Sequence, residues 1–310
     1  MADPILTNLS TYGGKWQKAL IAQIFLQLAD AGINVLEDIK GPTNFWKMKV
    51  GKGLKPYTGI WSAEDKLNLS DRKLNPEMFQ YDIYIDPKKF HQTFAGDTQN
   101  KNSKYFGFLE EQYIWAKYTE EVAHEIIEST IWKGVKGGSS SDKAKNICNG
   151  FEVRVLEMIA AGKPSINTGV WTASNAVEKA IQMYRDAIAT YPAFRRLKWM
   201  MYCSFANKDN YVDRYSTLYP YDPSNWDETG KPIIVKKTDS KVTLKPVEWL
   251  AGSNRIILAP MEIMAMGTDK LSDINVINMV MDVYGIKAGI TGVIDLQILD
   301  DEACFFNELT

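Results

Sequence analysis

The sequence predicts an α+β fold in which helices and strands come in clusters, without the regular alternation of a doubly wound sheet. Three observations carry that prediction. Residues 108–133 hold one unbroken helical pattern. The stretches 41–94 and 276–306 carry the period-two alternation of strands, punctuated in the first by Gly51, Gly53, Pro56 and Pro76. Nothing repeats at a fixed period, which excludes solenoids and propellers.

With 310 residues, 45% hydrophobic and 12% aromatic, the chain has ample material for one large or two medium cores. Its 36 basic and 38 acidic residues leave a net charge of −2, so no strong overall field draws nucleic acid or anionic membrane, although local basic surfaces stay open. The apolar run 19–31 is interrupted by Gln23, Gln27 and Asp30 and reads as an amphipathic helix with Leu20, Ile21, Ile24, Phe25 and Leu28 on one face. It has neither the length of a membrane span nor the basic flank of a signal, so export is not expected. Cys148, Cys203 and Cys304 are widely spaced and odd in number, which points to buried thiols in a reducing compartment and not to a disulfide framework.

Taken in order, residues 1–12 form an arm, and a helix follows over about 15–31 with Gly32 as its stop. Residues 45–50, 59–61 and 79–85 read as strands. The 41–75 portion mixes Phe45, Trp46, Tyr57, Ile60 and Trp61 with Lys47, Lys49, Lys52 and Lys55, yet has no run long enough to close a core. A two-stranded ribbon rarely stands alone in water. Either it folds back on its own domain or its aromatics meet a partner, and the residues favour neither.

At 100° per residue, Glu110, Lys117, Glu121, His124 and Glu128 share one wall of the 108–133 helix. Leu109, Tyr113, Ala116, Ala123, Ile127 and Ile131 flank it on one side, and Ile114, Trp115, Tyr118, Val122, Ile126 and Trp132 on the other. An ordinary surface helix has one apolar face. This one is a beam packed from two sides, about 37 Å long at 1.5 Å per residue, with Gly134 fitting a left-handed position after its last turn.

Farther on, 151–160 is ambiguous between helix and strand. Thr172 or Ser174 caps a helix with Val177, Ala180, Ile181, Tyr184 and Ile188 at helical spacing, closed by Tyr191 and Pro192. A buried strand over 197–204, a helix over 208–218 capped by Asn207, and an exposed loop over 219–230 come next. Strands follow over 233–235, 242–244, 255–259, 277–283 and 293–299.

Motifs for catalysis are missing. Gly13, Gly14 and Lys15 lack the upstream glycine and preceding strand of a phosphate loop, and the 134–139 glycines have the wrong spacing for a dinucleotide site. His124 with Glu125 and Glu128 has no second histidine for zinc, so its expected role is pairing with Glu121 and Glu128. No nucleophile elbow is present. Asp295, Asp300, Asp301 and Glu302 offer a divalent-metal site for a hydrolase as one reading, but acidic residues at strand ends are more often a solvated turn, and that is the expectation. No catalytic, cofactor-binding or metal-ligating residue is assigned.

The order of parts, together with Asp71-Arg72-Lys73-Leu74-Asn75-Pro76 leading into residues 81–87 and Phe90, Trp132-Lys133-Gly134, residues 256–260 and Gly267-Thr268-Asp269-Lys270-Leu271-Ser272-Asp273, resembles the major capsid proteins of tailed bacteriophages with the Hong Kong 97 type fold, particularly those of phages infecting Bacteroidetes. The resemblance implies an N-terminal arm and helix (1–40), an extension loop with peripheral strands (41–107), a spine helix (108–143), an axial domain (144–253) and returning strands (254–310). It implies a non-enzymatic shell protein of the virion, forming hexamers and pentamers around double-stranded DNA in the host cytoplasm, with portal and decoration proteins as partners and no membrane. Phe45, Trp46, Tyr57 and Trp61 become candidate subunit contacts. With no long N-terminal scaffolding segment, a separate scaffold is implied, or an assembly that needs none. The lysine and asparagine pair of self-crosslinking members is not located by motif. An encapsulin-like nanocompartment shell is the related alternative.

Overall fold

The long helix keeps the charged stripe that its periodicity dictates. In the computed structural model, which describes residues 20, 24, 26–29, 31–50, 67–85, 110–163, 166, 168–222, 232–269, 276–281 and 286–307, helix α1 spans Glu110–Glu125. Lys117, Glu121, His124 and Glu128 are exposed, while Tyr113, Ala123 and Ile127 on one flank and Ile114, Trp115, Val122 and Ile126 on the other are buried. The expected arm over 1–12, the strand over 59–61, Tyr57, Trp61, Phe108, Leu109 and residues 223–230 and 270–273 lie outside the described residues.

The beam does not run as one α-helix to Lys133. At Ile126–Thr130 it widens into a π turn, and the Ile131 amide donates to the Ile126 carbonyl five residues back at 3.1 Å. The Ser129 hydroxyl donates to Asp142 at 2.7 Å and the Thr130 hydroxyl to the Ala144 carbonyl at 2.8 Å, tying the wide turn to the next loop. The α-helical part is therefore about 24 Å long. Gly134 is not left-handed; Gly137 and Gly32 are. Gly134 is required because two backbones cross there: a Cβ would lie 2.5 Å from the Thr130 carbonyl oxygen, and one on Gly150 would lie 2.4 Å from that of Trp132. At this crossing the Phe151 and Glu152 amides donate to the Ile131 and Trp132 carbonyls at 2.8 and 3.1 Å. Orphan carbonyls at the end of one helical element thus meet the orphan amides at the start of the next.

That next element is helix α2, Phe151–Ala160. Helix α3, Ala176–Thr190, buries Val177, Ala180, Ile181 and Tyr184 as expected, but Asn175 occupies its N-cap in place of Thr172 or Ser174. Helix α4 is Phe205–Leu218, one turn longer than expected; the Ser204 hydroxyl accepts from the Asn207 amide, so Asn207 sits inside the helix and not at its cap.

Strands β1 (Asn34–Leu36), β9 (Met264–Gly267), β11 (Ile286–Ile298), β10 (Val276–Met281) and β4 (Glu77–Ile85) form one sheet. The 13-residue β11 is its shared member: Ile286 to Ile294 pairs with β4 and Asp295 to Ile298 with β9. A second sheet has the order β12 (Phe305–Phe306), β8 (Ile257–Ala259), β5 (Trp199–Cys203), β7 (Val242–Pro246), β6 (Ile233–Ile234). A separate ribbon pairs β2 (Thr43–Val50) with β3 (Leu67–Leu74). Two apolar clusters follow. The first joins α1, α2, β4, β9 and β11 with the helical Leu20, Ile24 and Leu28; the second joins α3 and α4 to the other sheet. Strand β5 belongs to both, with Tyr202 in the first cluster and Trp199 and Met201 in the second. Trp249 closes the first cluster against Trp132, Phe151 and Tyr202, ring centroids 5.6 to 6.0 Å away, and its indole donates to the Ala31 carbonyl at 3.1 Å.

Candidate functional site: an anchored ribbon

In the β2–β3 ribbon, directly paired residues share a face. The register places Thr43, Phe45 and Lys47 with Leu74, Arg72 and Ser70 on one side, and Asn44, Trp46 and Met48 with Lys73, Asp71 and Leu69 on the other.

The first side is fastened to its own chain. Leu74 is fully buried and occupies the room left by Gly267, where a Cβ would come within 3.2 Å of its Cδ1. The Lys47 ammonium meets Asp300 at 2.6 Å and Glu302 at 3.0 Å. Arg72 and Lys163 converge on Asp301 Oδ2, each at 2.7 Å. Just past the ribbon, the Asn75 amide donates to Asp295 Oδ2 at 2.6 Å, Arg154 approaches Asp295 at 3.5 Å, and the Gln297 side chain donates to the Lys73 carbonyl at 3.0 Å. Lys136 reaches Glu77 beyond it. The Asp71-Arg72-Lys73-Leu74-Asn75-Pro76 motif is thus the footing of the ribbon.

Electrostatics agree with this geometry. Burial works against the Lys47 charge, yet the hydrogen bonds its ammonium donates to Asp300 and Glu302 hold its pKa above the ordinary lysine value. Burial likewise opposes ionisation of Asp301, but Lys163 and Arg72 outweigh it and lower its pKa. At Asp295 burial wins over the Asn75 amide and Arg154, and its pKa is raised.

The solvated turn expected of the C-terminal carboxylates is therefore corrected. Asp295 is buried, and Asp300, Asp301 and Glu302 are partly buried with oxygens committed to cations of the chain. Their partners stand more than 130 positions earlier, a separation no local motif exposes. Among the described residues no group of His, Cys, Asp and Glu gathers as a metal site. His124 faces Glu128 and Glu248, each at 3.7 Å, and not Glu121. The three thiols are free and buried, as the sequence predicts, and burial pushes Cys203 and Cys304 up to about 12, far from thiolate chemistry.

The other side of the ribbon faces solvent. Trp46 and Met48 are each 65% exposed, Leu69 is 58% and Leu67 48%. Of the candidate contact residues, Trp46 belongs to this row, while Phe45 is half-buried on the anchored side. Met48, Leu67 and Leu69 carry no signal in the sequence alone, because a strand of such mixed texture shows its apolar row only when the register is known. Covering side chains of this kind is worth about 1.5–3 kcal/mol each.

The sequence matches no family model and no curated protein. The fold, in contrast, matches solved structures over nearly its full length. A chain of the satellite phage P4 procapsid superposes with a TM-score of 0.55 at 12% identity, covering 99% of this chain and 98% of that one. The capsid of the native GTA particle gives 0.55 at 10% identity over 90% and 94%. The capsid of cyanophage A-1(L) gives 0.51 at 10% identity over 91% and 92%. The architecture is thus the α+β phage-capsid fold of the Hong Kong 97 type.

Proposed function

We propose that this chain is the major capsid protein of a tailed phage, assembling through pentamers and hexamers into the icosahedral shell around a double-stranded DNA genome. The observation that carries the reading is the two-sided ribbon: one side is fastened to its own chain and the other presents Trp46, Met48 and Leu69 to solvent, on a fold shared with phage capsids. In this reading residues 41–107 are the extension loop with peripheral strands, 108–143 the spine, 144–253 the axial domain and 254–310 the returning strands. Trp46, with Tyr57 and Trp61, meets a neighbouring copy, while Phe45 lies on the anchored side; many such contacts in a closed shell add up by multivalency. The role is structural and not enzymatic. Portal, scaffold and decoration proteins are further partners, the shell is built in the host cytoplasm, and the contact with DNA is with phosphates and not bases. No helix among the described residues is long and apolar enough to cross a membrane.

Negative-stain electron microscopy of the purified protein, alone and with the scaffold product of the same genome, tests this. Closed shells of uniform diameter are expected; a protein that stays monomeric under both conditions overturns the proposal.

A further inference from the structure

A net charge of −2 conceals an uneven distribution. Residues 195–198 and 236–241 together hold six cations, Arg195, Arg196, Lys198, Lys236, Lys237 and Lys241, against one acid, Asp239. Strands β5 and β7 bring these stretches to one edge, because they run parallel with Trp199 opposite Val242, and the Trp199 amide donates to the Lys241 carbonyl at 2.8 Å. Lys198 and Lys241 therefore enter neighbouring strands side by side. The Lys241 ammonium donates to the Arg196 carbonyl at 3.3 Å, and Arg195 pairs with Asp239 at 2.9 Å. Lys236 pairs with Asp222 at 2.6 Å. Arg196, Lys198 and Lys237 are exposed, and no carboxylate of the described residues pairs with them.

The turn between β6 and β7 is built to hold this arrangement. Lys237, Asp239 and Ser240 have φ of 59°, 53° and 56°, a left-handed conformation that costs a side-chain-bearing residue about 1 kcal/mol. Thr238 between them is fully buried; its hydroxyl donates to the Val235 carbonyl at 2.6 Å and its carbonyl accepts from the Lys241 amide at 2.9 Å. Burying Thr238 turns Lys237 and Asp239 outward. The ledge stands at the start of β5, where Trp199 packs in the second cluster.

We infer that this ledge binds the phosphodiester backbone of double-stranded DNA. The inference rests on the capsid reading and deepens it by naming the surface. Cations spread over strand ends and a turn suit phosphates, whereas base edges are read by a helix or ribbon set into a groove. Two of the six cations are paired internally, so about four phosphates are neutralised per chain and about as many counterions released.

The test is fluorescence anisotropy of the full-length protein with a random-sequence duplex of about 30 base pairs, titrated between about 50 and 200 mM salt. A variant carrying Arg196→Gln, Lys198→Gln and Lys237→Gln is compared with a control carrying Lys40→Gln, Lys133→Gln and Lys143→Gln, three exposed lysines elsewhere. The ledge variant is expected to lose at least about tenfold in affinity at the lowest salt, and its salt slope to flatten by about 0.9 for each contact removed, while the control follows the parent. Equal losses in both variants, or a parent that does not bind at about 50 mM salt, overturn the ledge. Parent-like DNA binding combined with lost shell formation also overturns it and assigns the surface to a neighbouring copy. Shells seen without a ledge effect sink only the ledge; a ledge effect without shells sinks only the capsid reading.

Discussion

On one side of the β2–β3 ribbon Lys47, Arg72 and Leu74 end on atoms of their own chain; on the other Trp46, Met48 and Leu69 end in solvent. Both sides come from the same two strands and the same register. The difference arises because a period of two sends successive side chains to opposite faces, so one strand answers two demands at once. On the inner face Lys47 and Arg72 found carboxylates, and Leu74 found a buried place. On the outer face Trp46, Met48 and Leu69 stand beside Asp71 and Lys73, where water makes the apolar groups costly until another surface covers them.

The largest test replaces the outer row. Trp46→Ser with Met48→Ser and Leu69→Ser is expected to abolish shells in electron micrographs while leaving the thermal midpoint of the subunit within a few degrees, since exposed positions contribute little to folding. A large fall in the midpoint would mean that the row packs on its own chain. Next in size is Leu74→Ala on the inner face, which empties a fully buried position and is expected to cost about 3 kcal/mol in urea denaturation. An unchanged midpoint would show the footing to be loose. A smaller effect is expected of Asp301→Asn, which leaves Arg72 and Lys163 facing a neutral amide. About 1 kcal/mol is lost, because Arg72 and Lys163 are partly solvated and water screens the pairs, and proteolysis within residues 41–75 quickens with the fold otherwise intact. The smallest effect is with pH. The Asp301 pKa is lowered in the folded protein, so its contribution is present above the ordinary carboxylate value and disappears as pH falls through the lower folded value. Asp295, whose pKa is raised, works in the opposite sense: its contribution is full in acid and is lost as pH rises through its folded value. Cleavage of the ribbon should therefore rise in the parent as pH falls below the ordinary carboxylate value, and Asp301→Asn should remove most of that rise.

Legibility followed the range of the interactions. The stripe of α1 and the apolar spacing of α3 were readable because helical periodicity is local. Caps were read less well: Asn207 is a good cap residue, but Ser204 three positions earlier had the better geometry. The π turn at Ile126–Thr130 left no mark, because its cause is the loop at 142–144. Residues 286–292 lack a strand signal, since Gly289 and Gly292 interrupt the pattern, although β11 runs through both. The carboxylate footing was least legible of all. Asp300 and Lys47 stand 253 positions apart, and alternation alone does not reveal which cation a distant acid will meet.

The position of β11 has a mechanical consequence. Only Asn75 and Pro76 separate β3 from β4, and β4 is paired residue by residue with β11 from Glu77 to Ile85. A tug along the ribbon therefore reaches that ladder within two residues and loads its hydrogen bonds in shear, all together and not one after another. The weak link is then the footing of Lys47 and Arg72, and the ribbon should swing at its base before the sheet gives way.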